Sequence, residues 1–257
     1  MDGWPSIPVL SPGECQVWWA APALPHSALL ACLDEGERDQ WARFRTEAAK
    51  ARYLAAHALL RILLSADLHQ PASEIPIEQE PCRRCSGPHG KPRVRGKHRL
   101  EFSITHSGEA VGIALSRGVP IGIDVEDLRR PVRELLWNGV LSEDERPGFE
   151  ELIGGCRHAA LTRCFTRKEA LLKATGDGLT VPMWALTVSA PGTAPHVVAW
   201  DGREELAQAA RLVDLEPPAG HVASLAILGE AGTVQGDLVV RERRADALLH
   251  RVSHSRR

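Results

Sequence analysis

The sequence predicts an α+β fold built from two similar lobes, and three observations point to it. Each half of the chain runs from a helical periodicity to a set of apolar strands. Residues 111–115 and 223–228 are apolar segments that would be equivalent strands of the two halves. A turn at 117–120 separates the halves, so we expect lobes at 1–117 and 118–257. Each lobe should hold a small, mainly antiparallel sheet packed against helices.

The first half opens with a predicted strand at 15–20 and a long helical pattern from about Asp34 to Ser65. Three arginines stand seven residues apart in this region and would lie on one side of a continuous helix. From spacing alone, a solvated face explains this arginine stripe, Arg38, Arg45 and Arg52, more simply than a ligand site does. The apolar positions that recur every three or four residues are Trp41, Phe44, Ala48, Ala51, Ala55, Leu59 and Ile62.

Residues 71–97 are rich in Pro, Gly, Cys and Arg and show no periodicity, which predicts a loop with special turns. Alternating apolar and polar residues then predict three successive strands, joined by turns at 106–108 and 117–120. The expected strands lie at 100–105, 110–115 and 121–126.

The second half is predicted to alternate between helices and strands. Its most strongly periodic helix ends at Gly176-Asp177-Gly178, in the manner of a glycine C-cap. The tail after Val240 is basic, and we expect it to be loosely held. The expected helices lie at 132–136, 143–152 and 158–175, and the expected strands at 184–189, 196–200, 209–215 and 221–228.

Composition narrows the class of protein. A chain of 257 residues with 44% hydrophobic residues can bury a core as one large or two small domains. No apolar run reaches the roughly 18 residues that span a bilayer, and the N-terminus lacks the features of a secretion signal. We therefore expect a cytoplasmic protein without a membrane partner. The net charge of -2 argues against a nucleic-acid partner, and six sparse cysteines predict free thiols.

Asp124 and Glu126 stand two apart on a predicted strand, so both side chains project from the same face. Two like charges about 4 Å apart repel by roughly 4 kcal/mol at an effective dielectric constant of about 20. The pair needs either a cation between the carboxylates or hydration at an exposed strand end. Spacing alone leaves both interpretations open.

Glu169 falls on the apolar side of the helix predicted at 158–175 rather than on its solvated side. Its simplest partner is Lys173, one turn later, in an i,i+4 pair worth only ~0.2–0.5 kcal/mol. The alternative is that Glu169 points into a cleft as a third metal ligand or a base. Lys168 and Lys173 would then be available to hold phosphates.

A ligand set of oxygens without His or Cys favours Mg²⁺, which shares its coordination shell with water and substrate phosphates. The carboxylates therefore predict a diphosphate substrate. Lys91, between Gly90 and Pro92, and His106, in a turn between strands, are further candidate cations. Neither residue alone indicates a binding site, because such turns and lone histidines are usually structural.

Cys82 and Cys85 have the spacing of half a zinc site, and His89 lies four residues beyond. A structural zinc ion needs four ligands, and no second pair stands nearby. We therefore favour free thiols over zinc at this position.

Four motifs, taken in order, resemble those of the 4'-phosphopantetheinyl transferases. The length is similar to that of the larger, surfactin-synthetase-activating (Sfp-type) branch, whose members are pseudo-twofold monomers of two similar lobes. The resemblance covers about residues 90–179, and four ordered motifs are far more specific than any one. They are Gly90-Lys91-Pro92, Ser103-Ile104-Thr105-His106-Ser107-Gly108, Ile121-Gly122-Ile123-Asp124-Val125-Glu126, and Phe165-Thr166-Arg167-Lys168-Glu169-Ala170 with Lys173 and Gly176-Asp177-Gly178-Leu179.

The resemblance implies transfer of phosphopantetheine from coenzyme A to a serine of an acyl or peptidyl carrier protein, with adenosine 3',5'-bisphosphate leaving. It implies that Asp124, Glu126 and Glu169 hold Mg²⁺, or Mn²⁺, with the coenzyme diphosphate in a cleft between the lobes. Glu169, directly or through water, would deprotonate the serine, with Lys173 as the second catalytic residue. The implied coenzyme contacts are Arg45, Arg52, Lys91, Thr105, His106, Lys168 and Lys173.

The chain departs from the family pattern at four positions. Many members have Trp where this chain has Phe165, and Ser is more usual than Thr105. Glu37 and Gln40 are not the lysines that some relatives use for the coenzyme. Two other functions stay open: a non-catalytic coenzyme A or nucleotide-binding protein of the same fold, and a zinc-dependent interaction protein using the paired cysteines. The sequence does not indicate which carrier is served.

Overall fold

The computed structural model describes residues 7–81, 86–87, 90–96, 98–130, 137–229 and 238–254 and has the predicted mixed α+β architecture. The strands are β1 Glu14–Ala20, β2 Ile77–Gln79, β3 Pro92–Val94, β4 Leu100–Ser107, β5 Ala110–Arg117, β6 Ile121–Asp127, β7 Leu186–Val188, β8 Val197–Trp200, β9 Ala210–Leu215, β10 His221–Leu228 and β11 Val239–Arg244. The α-helices are α1 Ser27–Leu30, α2 Glu35–Arg43, α3 Glu47–Leu68, α4 Trp137–Val140, α5 Arg146–Glu150, α6 Gly154–Thr175, α7 Glu204–Ala209 and α8 Asp246–His254.

The first sheet has the strand order β11-β1-β5-β4 and is antiparallel except for the parallel pair of β1 and β11. Helix α3 packs against β4 and β5. Its Leu54, Leu59 and Ile62 are fully buried in one core with Phe102 and Ile113 of those strands. Burying such side chains contributes about 1.5–3 kcal/mol each, so this face holds α3 on the sheet.

The helical pattern at 34–65 is not one helix, because α2 ends before α3 begins. Phe44 is extended, with ψ 136°, and Thr46 caps α3 by accepting the N–H of Ala49 at 3.2 Å. A threonine in this role satisfies a backbone donor that a continuous helix would have paired internally. The prediction of a single helix was therefore wrong. The arginine stripe is interrupted as well, since Arg45 lies in the break.

The second sheet has the order β6-β10-β9 and is antiparallel throughout. Helix α6 packs on β6 and β10 and buries Leu171 and Leu172 in a core that includes Trp200. The helix ends at Gly176, whose φ of 76° is left-handed, so the predicted glycine C-cap is confirmed. Strand β6 lies at the edge of this sheet.

The two sheets share a third apolar core. Val17 and Trp19 of β1 pack in it with Ile123 of β6 and Leu225 of β10, and all four are fully buried. Each sheet is therefore covered by a helix on one face and by the other sheet's side chains on the opposite face. This arrangement places β4 of the first sheet beside β6 of the second.

The C-terminal segment returns to the first sheet. Strand β11 pairs with β1, and α8 buries Leu248, Leu249 and Val252 in the core that α3 covers. The expectation of a loosely held tail was wrong, because this segment carries an apolar face of its own. Residues 239–252 pack with the first sheet, and the lobe boundary at 117/118 stays a prediction.

Two smaller two-stranded sheets, β2-β3 and β7-β8, complete the described chain. Cys15, Cys32, Cys156 and Cys164 are free thiols. The zinc hypothesis at Cys82, Cys85 and His89, and the helix predicted at 132–136, lie outside the described residues. None of the helices within the described ranges has the length and apolarity that crossing a membrane requires.

Candidate active site

The carboxylates predicted to act together lie where β6 meets α6. Gly122, Asp124 and Glu126 alternate along β6, so they share one face, and Gly122 is in direct contact with the α6 backbone. Glu169 lies on α6, and Asp124 and Glu126 both act on its pKa. The three carboxylates therefore lie near enough to influence one another electrostatically, and their action as one site stays a prediction.

Asp124 is the most enclosed of the three. Its Oδ1 accepts hydrogen bonds from Lys173 Nζ at 2.7 Å and from Thr105 Oγ1 at 3.3 Å. Its Oδ2 is buried and has no hydrogen-bond partner among the described residues. Burial raises the pKa of Asp124, against the opposing charge of Lys173. Lys173 therefore pairs with Asp124 across the site rather than with Glu169 along the helix.

Glu126 and Glu169 are both half-buried. Burial and the charge of Asp124 raise the pKa of each carboxyl above its usual value. Glu126 accepts a hydrogen bond from Ser107 Oγ at 2.8 Å, whereas Glu169 accepts none from the described part of the chain. An unbonded carboxylate with a raised pKa is suited to accept a proton from a bound nucleophile.

A hard divalent cation fits this set of oxygens. Asp124 Oδ2 is a buried acceptor without a hydrogen-bond partner among the described residues, which a cation would satisfy, and Glu126 and Glu169 offer further carboxylate oxygens. Within the described ranges, however, no group of three or more His, Cys, Asp or Glu side chains is arranged so that it could hold a metal ion unaided. The three carboxylates predicted as a metal site therefore do not form a ready-made cage. Substrate oxygens would have to complete one.

A cluster of basic side chains adjoins the carboxylates. His106, exposed at the end of β4, has its pKa lowered by desolvation of the ring and by the charges of Arg52, Lys173 and His57. Lys173 belongs to both groups, since it also binds Asp124. Acidic and cationic groups therefore meet at the junction of the two sheets, an arrangement that matches a metal-bound anion such as a diphosphate.

Lys91 is not available to a phosphate in this structure. Its side chain is only 7% exposed. Its Nζ donates to Glu101 Oε2 at 3.2 Å, to the Ile121 carbonyl at 3.1 Å and to the Ala174 carbonyl at 3.3 Å. Burial lowers its pKa, opposed by Glu101. The three donors of the ammonium are used inside the protein, so the predicted coenzyme contact is corrected to a structural role.

The predicted coenzyme contact of Lys168 is also corrected to a structural role. Its side chain is fully buried, and its Nζ donates to Glu145 Oε2 at 2.5 Å and to the carbonyls of Val140 at 2.7 Å and Met183 at 3.2 Å. On a helix, neighbouring residues project about 100° apart, so Lys168 enters the core while Glu169 faces the site. Lys168 anchors α6 to the segment around Glu145 and does not reach the carboxylates of the candidate site.

The remaining predicted residues divide by position. Thr105 is buried and bonded to Asp124, and Arg52 lies half-buried near His106. Arg45 is exposed in the break between α2 and α3, and the structure describes no contact for it. Contact of Arg45, Arg52, Thr105, His106 and Lys173 with a coenzyme stays a prediction.

Two functional candidates were missed from the sequence. His57 stacks on Tyr53 with ring centroids 3.9 Å apart, and its Nδ1 lies 2.8 Å from Glu37 Oε1. His57 is five residues after Arg52, and this spacing does not place two residues on the same face of a helix, so the sequence did not connect them. Ser107 was visible in the alternation of Ser103, Thr105 and Ser107, which puts three hydroxyls on one face of a strand.

Comparison with known proteins gives a match over part of the chain. Residues 120–226 match the family model described as the 4'-phosphopantetheinyl transferase superfamily. The chain is 30% identical over 171 residues to the putative 4'-phosphopantetheinyl transferase slr0495 of Synechocystis sp., with 64% of this chain and 66% of that protein covered. It is 28% identical over 236 residues to the 4'-phosphopantetheinyl transferase HetI of Nostoc sp., with 88% and 92% covered.

The chain thus spans just under two thirds of the length of the slr0495 protein. Among solved structures, the holo-[acyl-carrier-protein] synthase (AcpS) of Thermotoga maritima is similar, with 22% identity and a TM-score of 0.37. That match covers 44% of this chain and 64% of that one.

Proposed function

We propose that this protein transfers the 4'-phosphopantetheine arm of coenzyme A to a serine of an acyl or peptidyl carrier protein. The match of residues 120–226 to the 4'-phosphopantetheinyl transferase superfamily supports this proposal. The observation that carries the proposal is the meeting of Asp124, Glu126 and Glu169 with the cationic groups around His106. A diphosphate with a bound cation matches both halves of that site.

Asp124, Glu126 and Glu169 would hold Mg²⁺, or Mn²⁺, together with the diphosphate oxygens of coenzyme A. When bound, the ion neutralises phosphate charge. Lys173 holds Asp124 at Oδ1, and the buried Oδ2 of that carboxylate has no partner in the described ranges. Arg52 supplies a cationic group on the side of the first sheet and is proposed to contact the 3'-phosphate, while His106, whose pKa is lowered, offers a neutral imidazole beside it.

Glu169 is the proposed base. The carrier serine oxygen forms a bond to the β-phosphorus that bears the pantetheine arm, and the bond from that phosphorus to the bridging oxygen breaks. Adenosine 3',5'-bisphosphate leaves with the bonding electrons. The serine proton passes to Glu169, directly or through a water molecule. Its place beside Asp124 and Glu126, and the absence of a hydrogen bond to it from the described part of the chain, support this role.

We also propose that the protein is a cytoplasmic monomer of the larger, Sfp-type branch. Two sheets, each covered by one long helix, support that assignment, because a two-lobed chain can close the cleft between its own halves. The carrier surface should carry an acidic helix that matches the cationic side of the site.

Mass spectrometry of apo carrier proteins incubated with coenzyme A and Mg²⁺ tests the proposal. The expected result is a mass gain equal to one phosphopantetheine on at least one acyl or peptidyl carrier, lost when the metal is chelated. Coenzyme A binding by calorimetry without mass gain on any carrier would instead favour the non-catalytic coenzyme-binding protein. A carrier whose serine is replaced by alanine is the matched control.

A further inference from the structure

Strand β4 offers a row of hydroxyls to the edge of the second sheet. Ser103, Thr105 and Ser107, which we name the hydroxyl ladder, are each at most 6% exposed. Their oxygens accept the backbone N–H groups of Ile123 at 3.1 Å, Val125 at 3.1 Å and Asp127 at 3.2 Å. Strand β6 is an edge strand, so these outward N–H groups need acceptors from outside its sheet.

Two members of the hydroxyl ladder have a second partner. Thr105 Oγ1 donates to Asp124 Oδ1 at 3.3 Å, and Ser107 Oγ donates to Glu126 Oε2 at 2.8 Å. A hydroxyl has one proton and two lone pairs, so it can accept from the backbone and donate to a carboxylate at once. Ser103 stands where β6 has Gly122, so the only partner of its hydroxyl among the described residues is the backbone N–H of Ile123.

We propose that Ser107 and Thr105 are positioning residues that orient Glu126 and Asp124 toward the bound cation and diphosphate. The inference rests on the proposed function. Each hydroxyl ties one carboxylate oxygen to the first sheet and leaves the other oxygen for a ligand. The same hydroxyl sets the spacing of the two sheets, so the orientation of the carboxylates follows the alignment of the lobes.

The chain provides a matched control for this inference. Ser103→Ala removes a hydroxyl that serves the backbone alone, whereas Ser107→Ala removes one that serves both the backbone and Glu126. Both variants leave one β6 amide without its acceptor, so they should lower resistance to denaturant to a similar degree. Only Ser107→Ala should change the affinity for a divalent cation. Ser107→Thr keeps a hydroxyl and should restore that affinity.

The probe is Mn²⁺, with the free ion measured by electron paramagnetic resonance in the presence of saturating coenzyme A and without carrier. Ser107→Ala should raise the Mn²⁺ dissociation constant about tenfold, the range found for residues that orient metal ligands, and Ser103→Ala should leave it unchanged. In carrier assays, kcat should fall in Ser107→Ala while KM for the carrier stays the same.

Equal Mn²⁺ affinity in Ser107→Ala and the unsubstituted protein, or equal losses in Ser103→Ala and Ser107→Ala, would overturn the inference and leave the proposed function standing. Failure of the unsubstituted protein to bind Mn²⁺ with coenzyme A would overturn the metal-dependent function and this inference with it. If Ser107→Ala does not fold, Thr105→Val and Thr105→Ser decide in its place. Weaker Mn²⁺ binding in the valine variant alone supports the inference, and the same affinity in both overturns it.

Discussion

Gly122 of β6 lies directly beneath the carbonyl oxygen of Ala170 on α6. A Cβ built on Gly122 would stand 2.1 Å from that oxygen and 2.4 Å from the Ala174 nitrogen. No side chain fits in this space, so glycine lets the helix rest on the strand backbone. This close approach brings Glu169 and Lys173 of the helix near Asp124, which is two residues after Gly122 and lies on the same face of the strand.

Gly122→Ala should therefore lower both stability and activity. The added methyl group must push α6 outward, at a cost of about 1–3 kcal/mol of unfolding free energy. Displacement of Glu169 by even a fraction of an ångström should reduce transfer by about tenfold or more. Denaturant unfolding and the carrier assay measure the two effects. Gly148→Ala in α5, where a Cβ meets nothing within 4 Å, is the control and should leave activity unchanged and lower neither quantity.

Glu169→Gln should abolish transfer and keep the fold. The amide occupies the same space but cannot accept the serine proton, and loss of a general base costs about 10²–10⁴-fold in rate. Single-turnover transfer to an apo carrier gives the rate, and thermal unfolding monitors the fold. Near-normal turnover in this variant would remove Glu169 from the mechanism.

Arg52→Ala should raise KM for coenzyme A about tenfold, which corresponds to about 1.4 kcal/mol of binding free energy, with little change in kcat. The reason is the proposed contact with the 3'-phosphate. Dephospho-coenzyme A, which lacks that phosphate, should be used equally well by the variant and the unsubstituted protein. Arg38→Ala, on exposed α2, is the control. An equal defect with both coenzymes would contradict the assignment of Arg52.

Lys168→Met should lower the unfolding free energy by about 3–5 kcal/mol, because it leaves Glu145 buried without its ion pair. KM for coenzyme A should stay the same in the folded protein, since Lys168 does not reach the site. Adding Glu145→Gln should recover part of the lost stability. A large rise in KM with unchanged stability would return Lys168 to the coenzyme site.

Glu37→Gln should change how stability depends on pH. Burial opposes ionisation of Glu37, but His57 and Arg61 outweigh it and hold its pKa below the usual value of 4.5. A folded-state pKa below the unfolded one adds stability above the unfolded pKa, and that stability is lost as pH falls through the folded pKa. The variant should be less stable by about 1.5–3 kcal/mol near pH 7. Denaturant unfolding should show the difference shrinking below about pH 4, whereas a constant difference would contradict it.

Local sequence patterns predicted several strands, the end of α6 and part of the candidate site. Alternation located β4, β5 and β6, and the placement of Asp124 and Glu126 on one face followed from it. The end of α6 was predicted because Gly176 has a conformation that other residues rarely adopt. These features depend on residues within a few positions of each other, which is the range over which sequence patterns carry information.

Features that depend on distant partners were not predicted. Lys91 and Lys168 looked like phosphate ligands, but each reaches a carboxylate elsewhere in the chain, Glu101 and Glu145. A sequence does not show whether a long cationic side chain points into water or toward such a partner. The break before α3 was missed because the apolar stripe continues through Phe44 and conceals the cap at Thr46.

The parallel pairing of β1 with β11 also orders events during synthesis. The ribosome makes β1 more than two hundred residues before β11, and until then one edge of β1 has no partner. The N-terminal sheet cannot close while the chain is still short, so the usual sequence of N-terminal domain first does not apply. Chaperone demand should therefore persist until β11 has been made.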